Sequence, residues 1–360
     1  MELKHKYDSL RKPKSRKKHN NKQKAKIDKH MLREMAERLP EITPAEFEQC
    51  NQENVDMFYE YFRNNRQLSP QSQGQYQTCL RQFFWFVHTN LRDKPFYKIS
   101  KRDFVNYLGY MQDRGLSSSA INLRKSAVSS FCNYIENIVA DDMEECRNFR
   151  NFTRGMPKVN KTQVYDKIPI SKEEYDKIMN YLEEKKNYLG LAWVATAFHI
   201  GGRRAEIVQF KTEILNYPIK EGKNYVVSHI VRGKGAGAEG KPLKYMIPLE
   251  VLDYWRLWIE KRGYDHEYVF TTQVGKQKPQ QMTKGWANHF CREILSPILG
   301  RRINPHLFKA SCITYMLEQG KDMKLVSKFI AHHNDINTTS SYYDLRSFDD
   351  ELDDLFDDMD

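Results

Sequence analysis

Apolar residues recur at helical spacing in four segments of the N-terminal half of the chain. The first three segments open with a hydroxyl residue that can cap a helix, at Thr43, Ser69 and Ser100, and the fourth covers residues 118–138. Proline follows the first two caps, and an acidic residue stands three positions after the first and third, as in a capping box. This pattern predicts a four-helix domain over residues 43–147.

The second half of the chain mixes helical and strand-like patterns. A capping box at Ser171–Glu174 opens it, and alternating apolar residues predict strands over 225–231 and 243–249. Further helices are predicted over residues 189–200, 249–262, 283–295, 306–320 and 324–330. Between the halves, residues 148–170 combine Gly, Pro and basic residues, which indicates a linker. We therefore expect a mainly α chain with a small β element, which lies in an α+β domain over residues 171–344.

Charge is unevenly distributed along the 360 residues, whose formal net charge is +11. Residues 1–30 carry twelve Lys or Arg against three acidic residues, whereas residues 349–360 carry eight acidic residues and no basic one. The pattern predicts a basic N-terminal arm over residues 1–42 and an acidic amphipathic segment over residues 345–360. The basic excess favours a polyanionic partner, although charge alone does not identify it.

Several classes of protein are excluded by composition. No apolar run is long enough to span a bilayer, and the charged N-terminus lacks the apolar region of a secretory signal. The six cysteines are scattered without a C-x-x-C pair, which indicates a reducing cytosol and no zinc site. Gly235, Gly240 and Lys241 nearly match a phosphate-binding loop, but Pro242 stands where Ser or Thr would hold magnesium, and a strand is predicted to follow instead of a helix. We therefore expect a cytoplasmic protein without a zinc site or a P-loop.

The candidate chemistry lies in the last hundred residues. His306 and Lys309 are three positions apart on a predicted helix that Asn304–Pro305 would open. His332–His333 follows, and then a Thr338–Thr339 pair precedes the doublet Tyr342–Tyr343. A cation can hold phosphate oxygens, imidazoles can donate hydrogen bonds or move protons, and a phenol can act as a nucleophile. Together they suit a phosphodiester substrate.

These motifs resemble those of the tyrosine recombinase (phage integrase) family, whose signature is H-x-L-R-H-T, then L-G-H, then T-T-x-x-Y. The family's first box, G-L-R-x-x-E-L, resembles residues 201–207 and would place an arginine at Arg203 and an acid at Glu206. Taken alone, that pair is typical of an ordinary surface ion pair. Three departures stand out, because Lys309 replaces arginine, His332 replaces glycine, and Ala310–Ser311 replaces H-T.

The resemblance implies a SAM-like four-helix core-binding domain followed by an α+β catalytic domain. It also implies transesterification without metal or ATP, in which Tyr342 attacks the scissile phosphate and forms a 3′-phosphotyrosine. The residues around the non-bridging oxygens would then be Arg203, His306, Lys309 and His333, with His306 also placed to act on the tyrosine proton. Glu206 would orient the cations. Tyr342 fits the family spacing, and Tyr343 is the second candidate for the nucleophile.

The lysine that protonates the leaving 5′-oxygen is expected on a glycine-rich hairpin tip over residues 232–241. The family carries a G-K-G turn there, which resembles the sequence around Lys234. Lys241 is the second candidate on the same hairpin. The alternative interpretation of either residue is a solvated turn lysine.

Double-stranded DNA is the partner that the resemblance implies, with a homotetramer on synapsed sites, a monomer in free solution and accessory DNA-bending or directionality factors. The resemblance also implies a nucleoid-associated protein of the prokaryotic cytoplasm that needs no metal or cofactor. The arm would order on DNA. The residues expected to contact DNA are Lys12, Lys14, Arg16, Lys17, Lys18, Arg124, Lys125, Arg154 and Lys158. The aromatic run Phe83–Phe86 could stack on bases, but its helical spacing favours a core.

Two other functions remain open at the level of sequence. The lysine at position 309 would suit a sequence-specific DNA-binding protein with a decayed active site. A type IB topoisomerase would share the same chemistry. The core-binding phrases Leu68–Pro70 and Gly115–Ser117 favour recombination, and the preferred function is an integrase of a phage or other mobile element.

Overall fold

A computed structural model describes residues 39–156, 167–219, 221–235 and 239–346. The chain divides into two units, one ending at residue 166 and one beginning at Lys167. Most of the predicted arm, Lys158 and all but the first two residues of the acidic segment lie outside the described residues.

Helices build the first unit. They are α1 (Pro44–Phe47), α2 (Gln52–Asn64), α3 (Pro70–Asn90), α4 (Lys101–Asp113), α5 (Ser118–Tyr134), which continues through a π-helical turn (Ile135–Val139), and α6 (Ala140–Asp142). Short 3-10 turns cover Phe96–Lys98 and Glu144–Cys146.

The caps predicted for these helices are confirmed. The hydroxyls of Thr43, Ser69 and Ser100 each accept a hydrogen bond from the backbone N–H three residues on, and the first and third form full capping boxes. The first predicted helix is broken, because Asn51 caps α2 and its N–H donates to the Asp93 carboxylate at 2.9 Å. The break lies where a side chain from outside the segment fixes the backbone, which a periodicity argument does not detect.

Aromatic side chains fill the core of the first unit. Phe83, Phe84 and Phe86 are buried, and the Phe84 ring meets Phe131 edge-on at 5.4 Å. Core packing therefore explains this run, as its spacing favours, and base stacking does not. Phe149 and Phe152 also pack in this core, whereas Ile170 packs in the second one, so both ends of the predicted linker are folded parts of a unit.

The second unit combines helices with three short β-ribbons. Its elements are α7 (Lys172–Glu184), α8 (Tyr188–Ile200), α9 (Arg204–Ile207), β1 (Tyr225–Val227), β2 (Val231–Gly233), β3 (Lys241–Leu243), β4 (Met246–Pro248), α10 (Leu249–Arg262), β5 (Thr271–Thr272), β6 (Gln280–Gln281), α11 (Trp286–Phe290), α12 (Ser296–Leu299), α13 (Pro305–Glu318), α14 (Met323–Leu325) and α15 (Ile336–Tyr342). A 3-10 turn covers Thr212–Asn216, and π-helical turns cover Cys291–Leu295 and Val326–Ile330.

Each ribbon is antiparallel, pairing β1 with β4, β2 with β3, and β5 with β6. The predicted strands over 225–231 and 243–249 are each interrupted once. At the interruption Ser228 donates its N–H to the Tyr245 carbonyl, and the Tyr245 N–H donates to the Ser228 hydroxyl at 2.9 Å. At this point a side-chain oxygen thus replaces a backbone acceptor of the ladder.

Helix α8 is apolar on all sides and lies at the centre of the second core, against α10 and α13. Its Thr196 hydroxyl accepts a hydrogen bond from the buried Trp255 indole at 2.7 Å. The mainly helical class with a small β element is confirmed. Among the described residues, no helix is long and apolar enough to cross a membrane.

Candidate active site

A glycine turn places Arg203 after the central helix. Gly201 ends α8 in the left-handed region at φ 59°, and a Cβ there would lie 3.2 Å from the Cys312 sulfur. Glycine therefore suits this position on both conformational and steric grounds. Arg203 follows as the N-terminal cap of α9, with its backbone N–H donating to one oxygen of Glu206 at 2.7 Å and its guanidinium to the other at 3.0 Å.

Glu206 is an internal residue, because its side chain is 1% exposed against 21% for Arg203. The buried Tyr245 hydroxyl donates to the same carboxylate. Burial alone would raise the pKa of Glu206, but the Arg203 charge and the hydrogen bonds from Tyr245 and Arg203 hold it below its usual value. The carboxylate therefore stays ionised and fixes the guanidinium, so the pair is not an ordinary surface ion pair.

Helix α13 carries the next two candidates. Asn304 caps it by accepting from the Leu307 N–H at 3.2 Å, as the sequence predicts. His306 lies in the first turn, and partial burial of its imidazole, followed by the charges of Arg204, Arg203, Lys309 and Lys167, lowers its pKa. These neighbours place His306 within a cluster of cations.

Lys309, one turn further along α13, is fully buried. Its ammonium donates to the Ala331 carbonyl at 2.6 Å. Burial and then the Arg203 charge lower its pKa to about 7. In this structure Lys309 holds the turn that precedes His332–His333, and it does not present its ammonium at the surface.

His332 stands where the resembling family has glycine, and it has a left-handed backbone with φ 52°. Such a conformation is rare for a residue with a side chain and costs about 1–3 kcal/mol. Its ring packs edge-on against Tyr245, with centroids 4.7 Å apart. The turn is thus anchored from two sides, by Lys309 through Ala331 and by Tyr245 through the imidazole.

The orientation of His333 is set by two hydroxyls. Its Nδ1 lies 2.8 Å from the Thr339 hydroxyl, which in turn donates to Ser327 at 2.8 Å. Because the Thr339 hydroxyl donates its proton to Ser327, its oxygen can only accept from the imidazole, so Nδ1 carries a hydrogen and donates it to Thr339. This arrangement assigns the Nδ1–H tautomer and leaves Nε2 with a free lone pair.

The Nε2 atoms of His332 and His333 are buried and have no hydrogen-bond partner among the described residues. Burial first, and then the Lys309 charge, lowers the pKa of both histidines to about 4. Both imidazoles are therefore neutral at pH 7. An unprotonated, unpaired Nε2 beside Arg203 and Lys309 is suited to accept a hydrogen bond or a proton from a hydroxyl, and it can bind an anion only once it is protonated.

The two tyrosines at the end of α15 occupy different environments. The Tyr343 ring lies 4.7 Å from the His333 ring and packs on the small buried cluster of Ile313, Leu317, Val326 and Ala331. Burial raises the pKa of Tyr343, which makes its hydroxyl a weaker nucleophile at neutral pH. Tyr342 is 50% exposed, and its carbonyl accepts a hydrogen bond from Lys167 at 3.0 Å.

The hairpin lysines also differ. Lys241 begins β3 and donates to the Asn334 side chain at 2.6 Å, next to His333. Lys234 directly follows β2 and is exposed. The structure therefore connects Lys241 to the histidine turn and places Lys234 at the start of the hairpin tip.

The predicted DNA-contact residues fall into two groups, one outside the described residues and one in the first unit. Lys12, Lys14, Arg16, Lys17, Lys18 and Lys158 lie outside the described residues. In the first unit, Arg124 donates to Gln82 at 3.0 Å and Lys125 to the Met156 carbonyl at 2.9 Å. Arg154 pairs with Glu136 at 2.8 Å but is 62% exposed, so its guanidinium remains accessible to a phosphate.

Two residues of the site were missed by sequence reasoning. Tyr245 lies in a predicted strand, and only its inward position in the alternating pattern could have indicated a buried contact with Glu206. Lys167 lies in the predicted linker and has no motif. Within the described residues, no three His, Cys, Asp or Glu side chains are grouped so that they could hold a metal ion.

Comparisons with known sequences find related proteins over most of the chain. The profile described as "Phage integrase family" matches residues 169–347, and "Phage integrase, N-terminal SAM-like domain" matches residues 55–137. The chain is 55% identical over 331 residues to the SPbeta prophage-derived recombinase-like protein YomM of Bacillus subtilis (strain 168), covering 92% of this chain and 98% of the relative. It is 22% identical to tyrosine recombinase XerD of Oceanobacillus iheyensis, over 80% of this chain and 92% of the relative.

Solved structures share the fold. The Tn1549 transposon integrase, in complex with transposon right end DNA, superposes with a TM-score of 0.62 at 16% identity, over 84% of this chain and 98% of that one. The XerH site-specific recombinase, bound to a palindromic difH substrate, gives a TM-score of 0.60 at 15% identity over 91% and 92% of the two chains.

Proposed function

The chain belongs to the phage integrase family of tyrosine recombinases, and from that premise we propose that Tyr342 cuts and rejoins DNA through a 3′-phosphotyrosine. The family resemblance drawn from the motifs is thereby confirmed, and so is the enzyme class, a tyrosine recombinase of the kind carried by phages and other mobile elements. The observation that carries the catalytic assignment is the convergence of Arg203, His306, Lys309 and His333 beside the tyrosine-bearing helix α15.

Exposure favours Tyr342 over Tyr343 as the nucleophile. The attacking hydroxyl must reach a phosphate on the surface of a DNA duplex, and the Tyr342 side chain is half-exposed. Tyr343 packs on a buried cluster and hydrogen-bonds through its carbonyl to Thr314 at 2.9 Å, so moving it would disrupt packing. The spacing of the T-T-x-x-Y motif supports the same choice.

The proposed reaction is an in-line exchange of phosphate esters. The Tyr342 oxygen forms a bond to phosphorus, the bond from phosphorus to the 5′-oxygen breaks, and that oxygen takes a proton from Lys234. Arg203, held by Glu206, offers fixed donors to a non-bridging oxygen, where negative charge develops. His306 takes the tyrosine proton. The released 5′-hydroxyl later attacks a partner's phosphotyrosine, so the ester bond energy is retained.

His333 and Lys309 support the other side of the phosphate. The free Nε2 of His333 becomes a donor when an approaching phosphate favours its protonation. Lys309 supplies a compact positive charge behind the histidine turn. Because the Lys309 ammonium donates to the Ala331 carbonyl, it acts on the phosphate through its charge and not through the paired hydrogen bonds of an arginine fork, so the expected enzyme is functional but slow.

The partner in this proposal is double-stranded DNA, bound by the basic arm, Arg124, Lys125, Arg154 and the catalytic unit. The Tn1549 integrase and XerH structures, which share this fold, contain DNA, and this supports the proposal. A homotetramer on synapsed sites and accessory factors that set direction belong to the same proposal. The prophage origin of the relative YomM supports an element that integrates into or leaves a chromosome.

The test is a covalent adduct on a nicked attachment-site DNA, separated on a denaturing gel. The wild type and Tyr343→Phe should form the adduct, and Tyr342→Phe should not, while all three bind the DNA. Adduct formation by Tyr342→Phe but not by Tyr343→Phe would move the nucleophile by one residue.

A DNA-binding protein without cleavage is the second candidate function. The observation that favours it is the burial of Lys309 against the Ala331 carbonyl instead of towards a phosphate. Wild-type protein that binds its genuine site but forms no adduct would support this function.

A further inference from the structure

Lys167 makes a set of contacts with the tyrosine-bearing helix α15. Its ammonium donates to the carbonyl of Tyr342, the last residue of the helix, at 3.0 Å. The same nitrogen lies 5.7 Å from the centre of the Tyr342 ring and 5.6 Å from that of Tyr343. Lys167 therefore satisfies a terminal carbonyl and contacts the faces of both rings.

The backbone that carries Lys167 is itself held in place. Arg301 donates to the carbonyls of Ile168 at 3.1 Å and Pro169 at 3.0 Å, and it pairs with Glu174 of α7. The Ile170 N–H donates to the Ser311 hydroxyl on α13 at 2.7 Å. The segment over residues 167–170 is thus fixed to two helices of the catalytic unit. The backbone that carries Lys167 is therefore a held part of this unit.

Helix α15 needs such support because its own sequence is a weak helix former. It has seven residues, Ile-Asn-Thr-Thr-Ser-Ser-Tyr, of which five are Asn, Thr or Ser. A helix this short has no stability of its own in water and depends on contacts with the rest of the protein. A cation at its C-terminus satisfies an unpaired carbonyl and interacts favourably with the helix dipole.

We infer that Lys167 is a positioning residue that ties the nucleophile helix to the segment entering the catalytic unit. The inference rests on the proposed role of Tyr342 and adds a residue that lies outside the motifs quoted above. Lys167 fixes the direction from which the phenol approaches the phosphate, and a displacement of about 1 Å can slow such a reaction by about 100-fold. It also makes the position of residues 167–170 and that of the nucleophile depend on each other.

The experiment compares Lys167→Met with Lys172→Met in the full-length chain. Lys172 is a matched control, because its ammonium also has an oxygen partner, the Asp176 carboxylate at 2.6 Å, and lies over a tyrosine ring, 4.6 Å from the centre of Tyr175. Amide hydrogen exchange in residues 336–343 should become at least about tenfold faster in Lys167→Met and stay unchanged in the control. This readout needs neither DNA nor catalysis.

Single-turnover cleavage provides the second readout. Lys167→Met should form the adduct about 10- to 100-fold more slowly at unchanged DNA affinity, with Lys167→Arg partly restoring the rate. A bridging 5′-thio substrate, which has a better leaving group, should not rescue Lys167→Met, because the defect lies in the attack.

Two results would overturn the inference: unchanged exchange in residues 336–343, or an adduct rate within about twofold of wild type. Failure of the proposed function looks different, because the wild type itself would then form no adduct. In that case the exchange data alone decide whether Lys167 holds the helix.

Discussion

The Arg203 side of the site, formed by Arg203, Glu206 and Tyr245, contrasts with the Lys309 side, formed by Lys309, His332 and His333. On the Arg203 side each carboxylate oxygen accepts a hydrogen bond, and the backbone is unstrained. On the Lys309 side two buried imidazole nitrogens lack partners among the described residues, and one residue has a positive φ. The hydrogen bonds of the Arg203 side are therefore complete without substrate, whereas those of the Lys309 side are not.

The difference shows how preorganisation is divided within one site. Fixed donors accelerate a reaction because they need no rearrangement when charge develops, and Arg203 fits that description. Unpaired buried groups and a left-handed backbone cost stability, and such features gather where a ligand later satisfies them. We therefore interpret the Lys309 side as the part that the phosphate completes.

Removing the guanidinium should have the largest effect. Arg203→Ala takes away the fixed donors and leaves Glu206 buried with one partner fewer, so we expect single-turnover cleavage to fall by about 10²–10³-fold or more. Arg203→Lys is the matched control, since it keeps the charge but not the fork. Cleavage by Arg203→Ala within tenfold of wild type would show that the Arg203 side has a structural and not a catalytic role.

A comparison of the two hairpin lysines tests which of them is the general acid. Lys234→Ala should stall cleavage of normal DNA by about 10²-fold or more, and a bridging 5′-thio substrate should restore the rate because it needs no proton. Lys241→Ala should act through Asn334 on the histidine turn, with a smaller loss and no thio rescue. Rescue of Lys241→Ala but not of Lys234→Ala would transfer the role to Lys241.

Burial of Lys309 predicts a specific pH dependence of stability. Its pKa is about 7 in the folded protein, against about 10.4 when unfolded. Above pH 7 the unfolded chain therefore binds a proton that the folded chain does not, and the free energy of unfolding rises with pH. Relative to Lys309→Met, the wild type should gain about 2 kcal/mol between pH 7 and pH 9.

Denaturant unfolding of the catalytic unit at the two pH values measures this gain. Equal changes in the wild type and Lys309→Met would mean that Lys309 stays charged and open to water. Two further variants are compared in cleavage. Lys309→Arg should be tolerated, and Lys309→Ala should be much slower than wild type.

The smallest effect is expected at His332. Glycine adopts φ 52° without steric cost, whereas alanine keeps the strain, so His332→Gly should be more stable than His332→Ala by about 1 kcal/mol. Thermal unfolding of the two variants measures the difference. Equal stability would indicate that the turn relaxes once the imidazole and its contact with Tyr245 are gone.

Local signals in the sequence predicted much of this fold. The capping boxes at Thr43, Ser100 and Ser171 depend on residues three positions apart, and all three are present. The start of α13 at Asn304–Pro305 was predictable for the same reason. The interrupted strands were not, because they depend on Ser228 and Tyr245, which are seventeen residues apart.

The contacts of the site also divide into those between near neighbours in the sequence and those between distant residues. Arg203 and Glu206 are neighbours on one turn, so their spacing predicts their contact. The burial of Lys309 against Ala331 joins residues twenty-two positions apart, and the Lys167–Tyr342 hydrogen bond joins residues 175 positions apart. Motif spacing shows which residue types are present, but the direction of a side chain depends on packing that only the folded chain defines.

The central claim is that the exposed Tyr342, and not the packed Tyr343, becomes covalently joined to DNA. Adduct from wild-type protein and attachment-site DNA can be digested with nuclease and protease and then mapped by fragment-ion mass spectrometry. We expect the nucleotide remnant on Tyr342, attached through a 3′-phosphate. A remnant on Tyr343, or on neither tyrosine, would contradict this assignment of the nucleophile.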